Sequence, residues 1–132
     1  MSDPSAQARS RHIRFSSTVS ETFTLHKGLS DELVQAAEAY WKSKGLATKN
    51  VRMPGQASGI SDPISAEFVA EGGSIWTTNF DSYKKTVTVN FHCAGENTDV
   101  IVHLVLPGGL MSLEDRERAA GLIESFYEAL RT

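Results

Sequence analysis

The stretch Val89-Asn-Phe-His-Cys-Ala-Gly-Glu-Asn-Thr-Asp-Val-Ile-Val-His-Leu-Val-Leu106 (VNFHCAGENTDVIVHLVL) decides the fold class. Two alternating apolar runs flank a polar segment that contains glycine, which is the pattern of an antiparallel hairpin. Side chains alternate across a strand, so Val87, Val89, Phe91 and Cys93 share one face while Thr88, Asn90 and His92 share the other. His92 and Cys93 therefore point in opposite directions, although they are adjacent in sequence. On the following strand Val100, Val102, Leu104 and Leu106 form the apolar set, opposed by Ile101, His103 and Val105. A turn around Glu96-Asn97 sets Phe91 opposite Val102, Asn90 opposite His103 and His92 opposite Ile101. In that register His92 and His103 are diagonal neighbours, about 7 to 8 Å apart at the backbone.

Turn residues extend the hairpin into a predicted four-strand meander. Ile64 to Ala70 meets Ser74 to Phe80 through the two-glycine turn Glu71-Gly-Gly-Ser74, and Lys85 to Cys93 and Asp99 to Leu106 follow. Matching apolar sets puts Trp76 opposite Phe91, Thr78 opposite Val89 and Phe80 opposite Val87, on the core side. The other face then collects Ile75, Thr77, Asn79, Thr88, Asn90, His92, Ile101, His103 and Val105, joined by Ala66 and Phe68. The same parity sends Glu67, Ser65 and Val69 to the helix side, with Glu67 either at a sheet edge or in a pocket there.

Upstream, His12 to Val19 and Thr22 to Lys27 read as short extended segments, either two separate strands or one strand interrupted by a bulge at Ser20-Glu21. A helix follows, capped by Ser30 with Asp31 and Glu32 in its first turn and closed by Gly45. Its apolar face is Leu33, Ala36, Ala37, Tyr40 and Trp41. Ala47 to Met53 reads as a strand, and residues 54–63 form a long loop, either a flap or a plain connector. Ser112 caps a second helix reaching to about Leu130, with the stripe Leu113, Ala120, Ile123, Phe126, Tyr127 and Leu130. The sum is an α+β domain: an antiparallel sheet of about five to six strands with two helices on one face. Residues 1–10 read as a disordered arm and 11–132 as a single domain. The order of elements is similar to the helix-grip arrangement of START-like ligand-binding proteins, and longin-like or profilin-like adaptors have a comparable order.

A net charge of −3 over 132 residues gives no broad positive field, so a nucleic-acid partner is not expected; only Arg9-Ser-Arg-His-Ile-Arg14 is basic. The single cysteine excludes an intrachain disulfide and fits a reducing compartment. The start of the chain lacks a signal-peptide pattern and no apolar run spans a bilayer, so a cytoplasmic, unanchored protein is the simplest expectation. No third ligand joins His92 and His103, so no metal or other cofactor is expected. Cys93 lacks an adjacent base and reads as a small core residue.

Three uses of the mixed sheet face stay open: a solvated surface, a self-association interface through Phe68, Ile75, Ile101 and Val105, or a ligand pocket. The expected ligand-facing residues are Thr77, Asn79, Asn90, His92 and His103. The leading expectation is non-catalytic binding of an apolar or amphipathic ligand, or of a partner, with homo-oligomerisation through the sheet. The alternative is a small enzyme using His103 or His92 as general acid or base, oriented by Asn90 or Thr88.

Overall fold

The computed structural model describes residues 18–54, 64–77, 79–107 and 112–131. In chain order these form β1 (Thr18–Leu25), α1 (Asp31–Ser43), β2 (Ala47–Arg52), β3 (Ile64–Gly72), a 3-10 turn (Phe80–Ser82), β4 (Lys85–Ala94), β5 (Asn97–Val105) and α2 (Leu113–Arg131). The five strands make one antiparallel sheet in the order β1-β5-β4-β3-β2. Both helices share a single apolar core with it, which is the expected α+β arrangement. The N-terminal arm 1–10, its junction with the domain and all but the first residue of the 54–63 loop lie outside the described residues.

The helix ends follow their sequence signals. Ser30 Oγ accepts from Leu33 N at 3.2 Å, and Gly45 closes α1 at φ 87°. Ser112 Oγ accepts from Asp115 N at 3.0 Å at the start of α2. Leu33, Val34, Ala37 and Trp41 face inward from α1, so the buried stripe is rotated toward Val34 and leaves Ala36 exposed. From α2, Ala119, Ile123, Phe126 and Leu130 are buried. Phe126 sits at the centre of the core, with ring centroids 5.0 Å from Trp41, 5.2 Å from Tyr40 and 5.9 Å from Phe23.

Three strand expectations are corrected. First, β1 runs without a bulge, since Thr18 to Leu25 pair continuously with Val105 to Thr98.

Second, the β4–β5 turn is Gly95-Glu96, because Ala94 pairs with Asn97. Gly95 adopts φ 68°, a conformation glycine takes at no steric cost, and it draws the turn one residue toward the N-terminus. That moves the register by two, giving Phe91 opposite Val100, Asn90 opposite Ile101 and His92 opposite Asp99. Because the side-chain period is also two, every residue keeps its face.

Third, of the expected strand Ser74 to Phe80, the described residues 74–77 and 79–80 form no strand. Ser74, Thr77 and Asn79 side chains each accept from a backbone N–H two residues on, at 3.0, 3.1 and 3.1 Å. Such local bonds compete directly with a sheet ladder. Gly73 also sits at φ 95°, where a side chain would meet the Tyr83 carbonyl. The four-strand meander survives with β2 in place of this segment. β3 then pairs directly with β4, setting Ala66 opposite Phe91 and Phe68 opposite Val89. Ala66 and Phe68 are therefore core, and Ser65, Glu67 and Val69 face the open side, the reverse of the expectation. Trp76, expected in the core, is 89% exposed at the tip of the irregular segment.

Candidate functional site

The helix-free face of the sheet is a grid. One row is Ser20, His103, Thr88, Val69 and Lys49; the next is Thr22, Ile101, Asn90, Glu67 and Arg52. Ser20 Oγ lies 2.6 Å from His103 Nδ1. Charges stay at the margins, in the pairs Lys49–Glu71 and Arg52–Glu67, each at 3.0 Å, and in Asp99, which accepts from Thr24 Oγ1 at 2.7 Å.

Of the expected ligand-facing residues, Asn90 and His103 are near one another on this face, across diagonal positions. His92 lies four positions along β4 from Thr88, the residue opposite His103, which is roughly 13 Å at strand spacing. The two histidines are thus not neighbours. Thr77 and Asn79 belong to the irregular segment and use their side chains locally. The expected apolar interface also changes: Phe68 is buried, Ile75 projects from the loop, Ile101 and Val105 remain on the face, and Val69 joins them there.

Cys93 is buried, and its thiol donates to the Gly95 carbonyl at 3.5 Å. Among the described residues no group of three or more His, Cys, Asp or Glu side chains is placed to hold a metal ion. No helix among them is long and apolar enough to cross a membrane.

A second feature was not anticipated from the sequence. A cleft of about 510 Å³ runs between β1 and α2, lined by Glu21, Thr22, Phe23, Glu117, Ala120, Gly121, Ile123, Glu124 and Tyr127. Consecutive strand residues face opposite ways, so a cleft that touches Glu21, Thr22 and Phe23 in a row meets the strand edge-on, at its backbone. Among the described residues β1 is an edge strand, with β5 on its other side. The helix wall is one continuous side, residues 117, 120, 121 and 124, at i, i+3, i+4 and i+7.

The floor of the cleft is apolar. Phe23 packs at 4.6 Å from Tyr127 and 5.9 Å from Phe126. The rim carries Glu21, Glu117 and Glu124, none of which is in an ion pair among the described residues; the helix pairs there use Glu114 and Glu128. Gly121 lies in the wall, and apart from its chain neighbours and its own helix backbone nothing comes within 4 Å of the place a Cβ would occupy. Glycine inside a helix is destabilising by roughly 0.5–1 kcal/mol relative to alanine. Here neither a positive φ nor a close neighbour requires it. A mid-helix glycine beside two glutamates seven residues apart is the signal in the sequence that points to this wall.

No protein-family model matches the chain, and comparison with curated proteins finds no match.

Proposed function

We propose that the protein is a non-catalytic binding domain whose β1–α2 cleft takes an amphipathic, cationic ligand. The observation that carries this is the cleft itself: about 510 Å³ with an apolar floor and three glutamates at the rim. That volume is within the range of small-ligand sites, which combine apolar walls with a few placed polar groups. The carboxylates select a cation and the Phe23, Ile123 and Tyr127 floor selects an apolar stem. With a single cysteine, we place the protein in the reducing cytoplasm, and we expect the sheet face to support self-association. Titration with n-octylammonium and with octanoate, followed by amide chemical shifts, tests the ligand class. Octylammonium is expected to shift Phe23, Gly121 and Tyr127 resonances, less so as salt rises, while octanoate leaves them in place. Equal responses to the two ions, or shifts confined to other surfaces, would remove the reading.

A catalytic alternative is favoured by one contact, Ser20 Oγ to His103 Nδ1 at 2.6 Å, which joins a hydroxyl to an imidazole nitrogen, the pairing that activates a nucleophile. Thr88 is directly opposite His103 on that face, and Asn90 is diagonal to it. The pair lies on an open grid, and the cleft is elsewhere, so binding is the reading that the geometry supports better. Unchanged turnover of a candidate substrate in His103→Ala would eliminate the alternative.

A further inference from the structure

We propose, on the footing that the cleft selects amphipathic cations, that its occupant is an extended cationic peptide segment of a partner protein, added as a sixth strand along β1. A small cation needs only the carboxylates. This cleft also presents the backbone edge of β1 at Glu21, Thr22 and Phe23, alongside its apolar floor. Strand addition uses those features together: main-chain hydrogen bonds along the edge supply affinity, and pockets for alternate side chains supply selectivity.

The groove dictates the pattern it accepts. Arg116 Nη1 of α2 reaches the Thr18 carbonyl and Lys27 Nζ reaches the Leu130 carbonyl, so α2 and β1 run side by side in the same direction. Glu117 is therefore near the start of the strand and Tyr127 level with Phe23, with Glu124 between them. On an added strand, the helix-facing positions opposite Val19 and Glu21 meet carboxylates, and the position opposite Phe23 meets the aromatic floor. Two arginines or lysines and one apolar residue, each separated by one residue, fit that order. Gly121 keeps the helix wall low where the incoming backbone passes. Pairing β1 with β1 of a second copy would instead crowd the glutamates of both grooves together, and like charges directly opposed are destabilising. A cationic partner is thus preferred over another copy of this chain.

The test uses the full chain and a fluorescein-labelled hexapeptide in which valine, arginine and arginine alternate with threonines. Anisotropy is read alongside amide hydrogen exchange of residues 20–24. The proposal expects saturable binding, slowed exchange along β1, and about tenfold weaker binding when alternate amides on the pairing edge are N-methylated. Glu117→Gln with Glu124→Gln, both at solvent-exposed positions, is expected to weaken binding by about tenfold with unchanged circular dichroism and melting. N-methylated peptide binding as tightly as its parent would overturn strand addition while leaving cation selection by the cleft intact. Failure of both the peptide and octylammonium would overturn both. Binding that emerges only after Arg9, Arg11 and Arg14 are changed to Gln would also overturn the proposal, since the groove would then belong to the chain's own basic segment.

Discussion

Ser20 and His103 face one another across the β1–β5 pair, hydroxyl to imidazole at 2.6 Å, whereas His92 sits opposite Asp99 near the hairpin end. The contact is a cross-strand pair on an open face, and such pairs contribute roughly 0.2–1 kcal/mol. Ser20→Ala is therefore expected to lower unfolding free energy by less than about 1 kcal/mol in urea titrations. A loss well above that value means that the pair anchors the β1 edge and supports the neighbouring cleft.

Lys85 is buried, and its ammonium donates to the carbonyls of Phe80, Tyr83 and Asp81 at 2.8, 2.9 and 3.3 Å. It also stands 4.8 Å over the Phe80 ring. One cation thus gathers the oxygens of the irregular segment between β3 and β4. Lys85→Met keeps most of the volume but leaves those carbonyls without their donor, with an expected destabilisation of about 2–3 kcal/mol. Because Trp76 is exposed on that segment and Trp41 is buried, acrylamide quenching of each tryptophan in single-Trp variants separates local loosening from global unfolding.

The alkaline limb of stability carries two opposed contributions. Burial pushes the Tyr40 phenol above its ordinary 10.0, against the lowering effect of its hydrogen bond with Ser125; its hydroxyl also donates to Leu122 O at 2.9 Å. The folded state then holds its proton longer than the unfolded chain, so this contribution is intact below pH 10.0 and is lost as pH rises through the raised value. Burial acts on Lys85 in the other direction, holding it below 10.5, partly offset by the Asp81 charge. The unfolded chain there binds more protons, so stability rises with pH between the lowered value and 10.5. Tyr40→Phe is expected to lose the decline above pH 10 and Lys85→Met to lose the rise. Urea midpoints from pH 8 to 11 check both, and a Tyr40→Phe curve parallel to wild type contradicts the assignment.

The helices were legible in the sequence because caps, first-turn acids and Gly45 all act locally. The hairpin was legible in its faces but not in its register, since alternation fixes only parity and the left-handed preference of Gly95 chose between registers two residues apart. Ser74 to Phe80 misled because its Ile-Trp-Thr-Thr content has strand propensity, while Ser74, Thr77 and Asn79 spend their side chains on their own backbone. That one segment reversed the faces of β3, carrying Phe68 inward and Glu67 outward. The β1–α2 cleft joins residues about a hundred positions apart, and no local pattern reports a strand edge. Gly121 alone hinted at it.

Gly121→Ala separates folding from binding. With nothing beyond its own helix backbone and chain neighbours within 4 Å of the new methyl, the substitution removes the backbone-entropy cost of a helical glycine and is expected to stabilise the protein by roughly 0.5–1 kcal/mol. The methyl projects into the cleft, so peptide binding is expected to weaken as the melting temperature rises. Equal or tighter binding contradicts a close approach of ligand backbone to this wall.

Self-association through the sheet face has a limit set by its size. Five strands spaced about 4.8 Å apart, over six residue steps of about 3.3 Å, give roughly 480 Å² per face. Two apposed faces bury about 1,000 Å², the lower bound for a specific interface. The middle rows of the face suit burial, with Val69 and Ile101 among Thr and Asn side chains, Val105 in the end row between Thr18 and Thr86, and the ion pairs toward β2, the usual division of an interface. A dimer through this face is therefore expected to be weak and concentration-dependent, and Val105→Lys, which puts an ammonium between Thr18 and Thr86 at one end of the face, is expected to abolish it without unfolding the chain. Light scattering over a concentration series decides: a wild-type chain that stays monomeric at millimolar concentration leaves the face as a solvated surface.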